Sequence, residues 1–286
     1  MYFLLQEVSF TKGKELLQSS KFQWSVVLIC IIAFLCGAIF YFPLEGNLDE
    51  SLVHSLTYTE SGEKITIPFV RNSSFLSESV EWGNGVTIDP AKMSAAEVGF
   101  VATNGELPAE IFVTFSFAPG ERIVFSVLPE RRQGKTYSPS YAFLGKYKLV
   151  YLAAREPDIF GEYRKEKRII RFYPLNIDPR KQKKLFTAFL EHSRKNEESP
   201  VSYHPFFRMV SREVFENFLD VFPNHLSWNS PLLSSDDFEQ YLYDHKIIPH
   251  NGSFAEEQVR HTVNLDTEYF DTEPDFSLQI RRGRGN

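Results

Sequence analysis

Apolar and polar positions along the chain alternate in three different ways. The first is not periodic at all. From Trp24 to Phe42 the sequence reads WSVVLICIIAFLCGAIFYF, 19 residues with no charge between Lys21 and Glu45. An uncharged run of this length is long enough to cross a bilayer core as a helix. Trp24, Tyr41 and Phe42 stand at its ends, where interfacial aromatics belong. Lys12, Lys14 and Lys21 precede it, and Glu45, Asp49 and Glu50 follow. The positive-inside rule therefore predicts a cytoplasmic segment over 1–23, a transmembrane helix over 24–42 and an exported remainder. The alternative is a cleaved signal, since Cys36-Gly37-Ala38 is a small-residue run. Lipid attachment at either cysteine is not expected, because Ile29 and Leu35 are too large for the residue before a lipidated cysteine.

The second pattern has period two. Ile65–Val70 alternates but holds Pro68, which predicts an edge strand. Ile111, Val113, Phe115 and Phe117 line one face of a second strand, and Ala118-Pro119-Gly120-Glu121 turns the chain into a third over Arg122–Leu128. Tyr147–Leu152 and Arg168–Tyr173 predict two more. The third pattern is helical. Asp178-Pro179 is an N-cap with a first-turn proline before the stripe Leu185, Phe186, Phe189, Leu190. Val210, Val214, Phe218 and Val221 recur at helical spacing over Val210–Phe222, and Ser235 caps a helix with Phe238, Tyr241 and Leu242 inward. Strands gather before helices, so the expected class is α+β. The polar stretch 43–64, with Gly46, Asn47, Ser61 and Gly62, reads as a linker.

Composition narrows the chemistry. The chain has 286 residues, 43% hydrophobic and 24% charged, with a net charge of -6. This is globular rather than disordered or many-spanning, and it argues against nucleic acid as a partner. The two cysteines, Cys30 and Cys36, both lie in the apolar run, so the rest of the chain has no thiol nucleophile and no thiolate zinc site. No phosphate loop, nucleophile elbow or paired-histidine metal motif is present, and neither a cofactor nor a metal is expected. His192, His54, His245 and His250 read as ordinary surface, linker or loop residues. Nine Lys/Arg against three acids fall between Glu162 and Lys184, and eleven acids against two bases between Ser234 and Asp275. These are either solvated faces or, for the basic stretch, a contact with anionic lipid headgroups.

A set of short motifs in fixed order resembles one family, the bacterial envelope proteins with an Lnb N-terminal periplasmic domain. The motifs are Ile65-Thr66-Ile67, Val70-Arg71-Asn72, Phe115-Ser116-Phe117, Ser126-Val127, Arg131, Gly134, Tyr137-Ser138, Tyr147–Tyr151, Glu156, Asp158, Ile170–Leu175, Pro274–Ser277 and Ile280-Arg281. The resemblance spans 65–283 and implies a papain-like, cysteine-peptidase type fold in the periplasm. It also implies acyl transfer by a cysteine at a helix start and a histidine on a facing strand, the pairing that generates a thiolate. Here the histidine's position counts to Glu110 and the cysteine's to Val210, and His204 follows Tyr203 where the family has asparagine. Neither member of the pair is present. The resemblance thus implies a catalytically degenerate, membrane-anchored module that binds a lipoprotein N-terminus, a lipid or an envelope protein in a cleft with Tyr203, His204, Ser211, Arg131 and Tyr137. The alternative is an acyltransferase or hydrolase whose catalytic groups have moved to Ser211, His204 and Glu110.

Overall fold

The computed structural model describes residues 20–41, 44, 46–102, 109–118, 120–222, 234–265 and 276–281. The chain divides into two units, Met1–Glu45 and Gly46–Asn286. In the first, helix α1 (Ser20–Tyr41) runs through the apolar segment. Its described large side chains, from Trp24 to Phe34, are exposed all round the helix. Among the described residues no helix is long and apolar enough to cross a membrane. The expectation of a span over 24–42 therefore rests on the sequence.

The second unit is built on one sheet. Its strands are β1 (Thr59–Ser61), β2 (Lys64–Arg71), β3 (Trp82–Ile88), β4 (Met93–Val101), β5 (Glu110–Phe117), β6 (Glu121–Pro129), β7 (Leu149–Ala154), β8 (Ile170–Pro174) and β9 (Thr262–Val263). Among the described residues these nine run in the order β1-β2-β7-β6-β5-β4-β8-β9, with β3 paired to β2. All pairings are antiparallel except the single parallel contact of Arg71 with Ala154. The mixed α+β class is as expected. Pro68 sits where β2 has β3 on one side, β1 only at Lys64–Thr66 and β7 only at Arg71. The missing N–H of the proline thus falls in the stretch with a single neighbour.

Helices cover both faces. The helices of the second unit are α2 (Pro139–Phe143), α3 (Glu156–Lys165), α4 (Pro179–Glu198), α5 (Val210–Val221), α6 (Ser235–Asp244), α7 (Phe254–Arg260) and α8 (Phe276–Gln279). On one face α3 and α8 bury Phe160, Tyr163 and Phe276 against Phe112 of β5 and Phe172 of β8. Gly99 of β4 pairs directly with Phe112, and a Cβ there would stand 2.1 Å from the ring. The glycine makes room for the aromatic that seals this core. On the other face α4 sets Phe186 and Phe189 against Phe115 and Phe125. Helix α5 lies on that same face: its Glu213 accepts from Tyr151, whose ring meets Phe189. Both sides of β5 are consequently buried along its whole length.

Several expectations hold in detail. Asp178 accepts from the amides of Arg180 and Lys181, and Leu185, Phe186, Phe189 and Leu190 are fully buried. Ser234 rather than Ser235 caps α6, accepting from the amide of Asp237. Phe238 and Leu242 are buried there, whereas Tyr241 stays half-buried and stacks on His245. Pro119 lies outside the described residues, but the hairpin of β5 and β6 is formed. One expectation needs correcting. The stretch 43–64 is not a free linker from Gly46 onward: Leu52 and Leu56 are buried, the amide of Asp49 bonds the carbonyl of Arg131, and His54 stacks on Phe69. Within the basic stretch Arg168 is buried against Glu110 and Arg171 is held by Glu239, whereas Lys165, Lys167, Arg180, Lys183 and Lys184 are exposed, as a solvated face requires.

Candidate functional site

The two positions that should carry the chemistry lie on opposite sides of the sheet. Glu110 opens β5 on the α3 face. Its Oε2 accepts from the Tyr163 hydroxyl at 2.9 Å and its Oε1 from Arg168 Nη1 at 2.9 Å, with Arg131 Nη2 3.6 Å away. Val210 is the first residue of α5, and α5 packs on the α4 face. Alternation along a strand fixes which β5 side chains can look toward α5. They are Ile111, Val113, Phe115 and Phe117, all apolar. Glu110 and Val210 thus lie toward different faces, with Glu110 at the strand's end and within electrostatic reach of Tyr203 in the loop that precedes α5.

What surrounds Glu110 is a buried seam of charge. Arg71 of β2 donates to Asp158 and to Glu162 of α3, and Asp158 also accepts from the amide of Ser73. Arg131, just past β6, reaches Glu162 at 2.9 Å and Glu166 at 3.4 Å. Arg168 reaches Glu166 at 3.3 Å as well as Glu110. Three guanidiniums thus face four carboxylates, Glu110, Asp158, Glu162 and Glu166. An unbalanced buried set resolves itself by neutralising one member. Burial opposes ionisation of Glu162, but Arg71 and Arg131 outweigh it and hold that carboxyl at about 2. Burial raises Glu166; Arg131 and Arg168 pull against this while Glu110 and Glu162 reinforce it, and the outcome is about 7. Glu166 is the carboxyl that takes the proton. Burial beside Glu110 likewise pushes the Tyr163 phenol well up, so it stays a donor.

The remaining predicted residues divide between this seam and the loop before α5. Arg131 belongs to the seam. Tyr137 stacks on Tyr147 and is hydrogen-bonded to Tyr203, whose phenol is raised by burial and by that bond. His204 Nδ1 accepts from the amides of Phe206 and Phe207, at 3.2 and 3.3 Å. An imidazole that accepts at Nδ1 carries its proton on Nε2, so this ring folds its own turn. Ser211 is buried, and among the described residues no imidazole is hydrogen-bonded to it. A pocket of about 140 Å³ lies beside the seam, lined by Arg71, Asp158, Glu162, Lys165 and serines including Ser73, and not at the start of α5. His192, read from sequence as solvent-facing, is half-buried, with Nε2 3.0 Å from Asp220.

A family profile described as the Lnb N-terminal periplasmic domain matches residues 87–237, more than half of the chain. The chain belongs to this family. The matched stretch runs from the end of β3 into α6 and contains Glu110, Arg131, Tyr137, Tyr203, Val210 and Ser211. It is narrower than the expected 65–283, yet the flanking motifs are tied into the same unit: Arg71 pairs with Asp158, and Arg281 pairs with Glu97 and Glu156. No curated protein and no solved structure matches the chain.

The seam makes stability depend on pH in a defined way. Glu162 is depressed from 4.5, so its contribution is present above about 4.5 and disappears as pH falls through about 2. Glu166 is raised from 4.5, so its contribution is complete below about 4.5 and lost as pH rises through about 7. Together they place the stability maximum of the seam near pH 4.5. Unfolding free energies from urea titrations across this range should fall between pH 4.5 and 7 by an amount on the order of 3 kcal/mol. In Glu166→Gln that slope should vanish, and an unchanged slope would exclude Glu166 as the group responsible.

Proposed function

We propose that this chain is a non-catalytic member of its family, a membrane-anchored periplasmic module that binds within the cell envelope rather than transferring acyl groups. One observation carries the reading: among the described residues, the β5 face toward the start of α5 offers no group that can act as a base. Val210 stands where a nucleophile would open the helix, the β5 side chains on that face are apolar, and the one ionisable β5 residue is spent on Arg168, Arg131 and Tyr163 across the sheet. Function resides in such a site and not in the scaffold around it. The rival arrangement of Ser211, His204 and Glu110 gains no support, since the histidine is bound to its own turn and the glutamate lies on the other face. A papain-like fold agrees with helix α5 packed on an antiparallel sheet. Candidate ligands are a lipoprotein N-terminus, a lipid or an envelope protein.

The activity test uses the full chain with a diacyl phospholipid donor and a lipopeptide acceptor. Intact-mass spectrometry should find neither an acyl-enzyme nor an acylated acceptor. Acyl transfer that disappears in Ser211→Ala would overturn the proposal.

The uncharged run 24–42 and the lysines before it support an anchor with its C-terminal unit in the periplasm. Ser61, exposed at the end of β1, reports on this orientation. Ser61→Cys should react with an impermeant thiol reagent once the outer membrane is opened. Reaction only after the inner membrane is broken would contradict the orientation.

A further inference from the structure

Away from the seam, helices α4 and α5 bring together a set of ligand-type atoms for which the reading above has no use. His192 projects from α4. Glu213 and Glu216, three apart on α5 and therefore on one side of it, project toward it. One ligand atom from each of the three lies within 4.8 Å of the others. Asp220, a turn further along α5, adds a carboxylate 3.0 Å from His192 Nε2.

The charge at this point is poorly satisfied. Glu213 is only 3% exposed. Its Oε1 accepts from the Tyr151 hydroxyl, but its Oε2 is buried and takes no hydrogen bond, and the same is true of Oε1 of Glu216. The nearest cations stand too far off for good hydrogen bonds. Arg208 Nη2 is 3.4 Å from Glu213 and 3.6 Å from Glu216, and Arg212 Nε is 3.7 Å from Glu216. Arg208 is itself more than a third exposed, so it can swing away. A buried carboxylate oxygen without a donor is costly. Burial, with Glu213 beside it, also raises the Glu216 carboxyl.

We propose that His192, Glu213 and Glu216 form a site for a divalent transition-metal ion, with Zn²⁺ as its best occupant, that clasps α4 to α5. Ligands about 2.1 Å from one tetrahedral ion stand about 3.4 Å apart, so side-chain adjustments of about 1 Å close the set. An imidazole with two carboxylates suits zinc and its neighbours and does not suit magnesium or calcium, which favour oxygen alone. The ion would take the place of Arg208 and satisfy the two unpaired oxygens. A fourth position is left for water or a ligand group. The clasp fastens the helix that begins at Val210, whether or not that helix serves any chemistry, and so stands apart from the non-catalytic reading.

The test uses the full chain without a polyhistidine tag, stripped of metal by a chelator and titrated with Zn²⁺ near neutral pH. Calorimetry should show one saturable equivalent and a raised unfolding temperature. His192→Gln and Glu216→Gln should each weaken binding by about tenfold or more. His250→Gln, an exposed histidine elsewhere, should leave it unchanged. Excess Mg²⁺ should not displace the ion. Absence of a saturable equivalent in the unaltered chain overturns the proposal, as does unchanged affinity in both variants or displacement by Mg²⁺.

Discussion

Burying a guanidinium without a counter-charge costs several kcal/mol, and this domain buries two of them, Arg71 and Arg168, along one seam that a half-buried third, Arg131, joins. Arg71, Arg131 and Arg168 come from β2, from the turn after β6 and from the approach to β8, places far apart in sequence. All three converge on carboxylates of α3 and on Glu110 at the start of β5. The seam therefore dictates where α3 lies and which edge of the sheet it covers. It also occupies position 110, whose carboxylate accepts from Arg168 and from the Tyr163 hydroxyl.

A second consequence is that the two faces of the sheet have divided their tasks. The α3 face is ionic at its rim and aromatic at its centre, where Phe112 lies over Gly99. The α4 face is apolar in the part that β5 and β6 supply, with Phe115 and Phe125 against each other and both against Phe186 and Phe189. Helix α5 begins over this apolar floor, and its own polar groups, Glu213 and Glu216, turn instead toward α4.

Much of this was legible in the sequence where a local rule applied. The cap at Asp178-Pro179, the stripe through Phe186 and Phe189, the hairpin before Gly120 and the stripe from Val210 to Val221 depend on neighbours within one or two turns. The motifs behind the family resemblance were legible too, and the structure gives some of them a partner: Arg71 with Asp158, and Glu156 with Arg281. Strand β4 was missed because Met93–Val101 is rich in small residues, and the need for Gly99 becomes visible only with Phe112 opposite. The packing of Leu52 and Leu56 was missed because two leucines in a polar stretch show no period. The sidedness of position 110 was also missed, since counting along a motif gives a position but not a face. Nor does spacing announce His192 beside Glu213 and Glu216, because the grouping exists only once α4 and α5 are packed.

The account turns on the claim that Glu110 is structural, bound energetically to Arg168. A double-mutant cycle over Glu110→Leu and Arg168→Met, read by urea unfolding of the full chain, measures that bond directly. Each single change should cost about 3–5 kcal/mol by stranding a buried charge, and the double change should recover at least about 2 kcal/mol of their sum. Losses that simply add, within about 0.5 kcal/mol, would mean that the two residues do not depend on each other. Glu110 would then be free for another role.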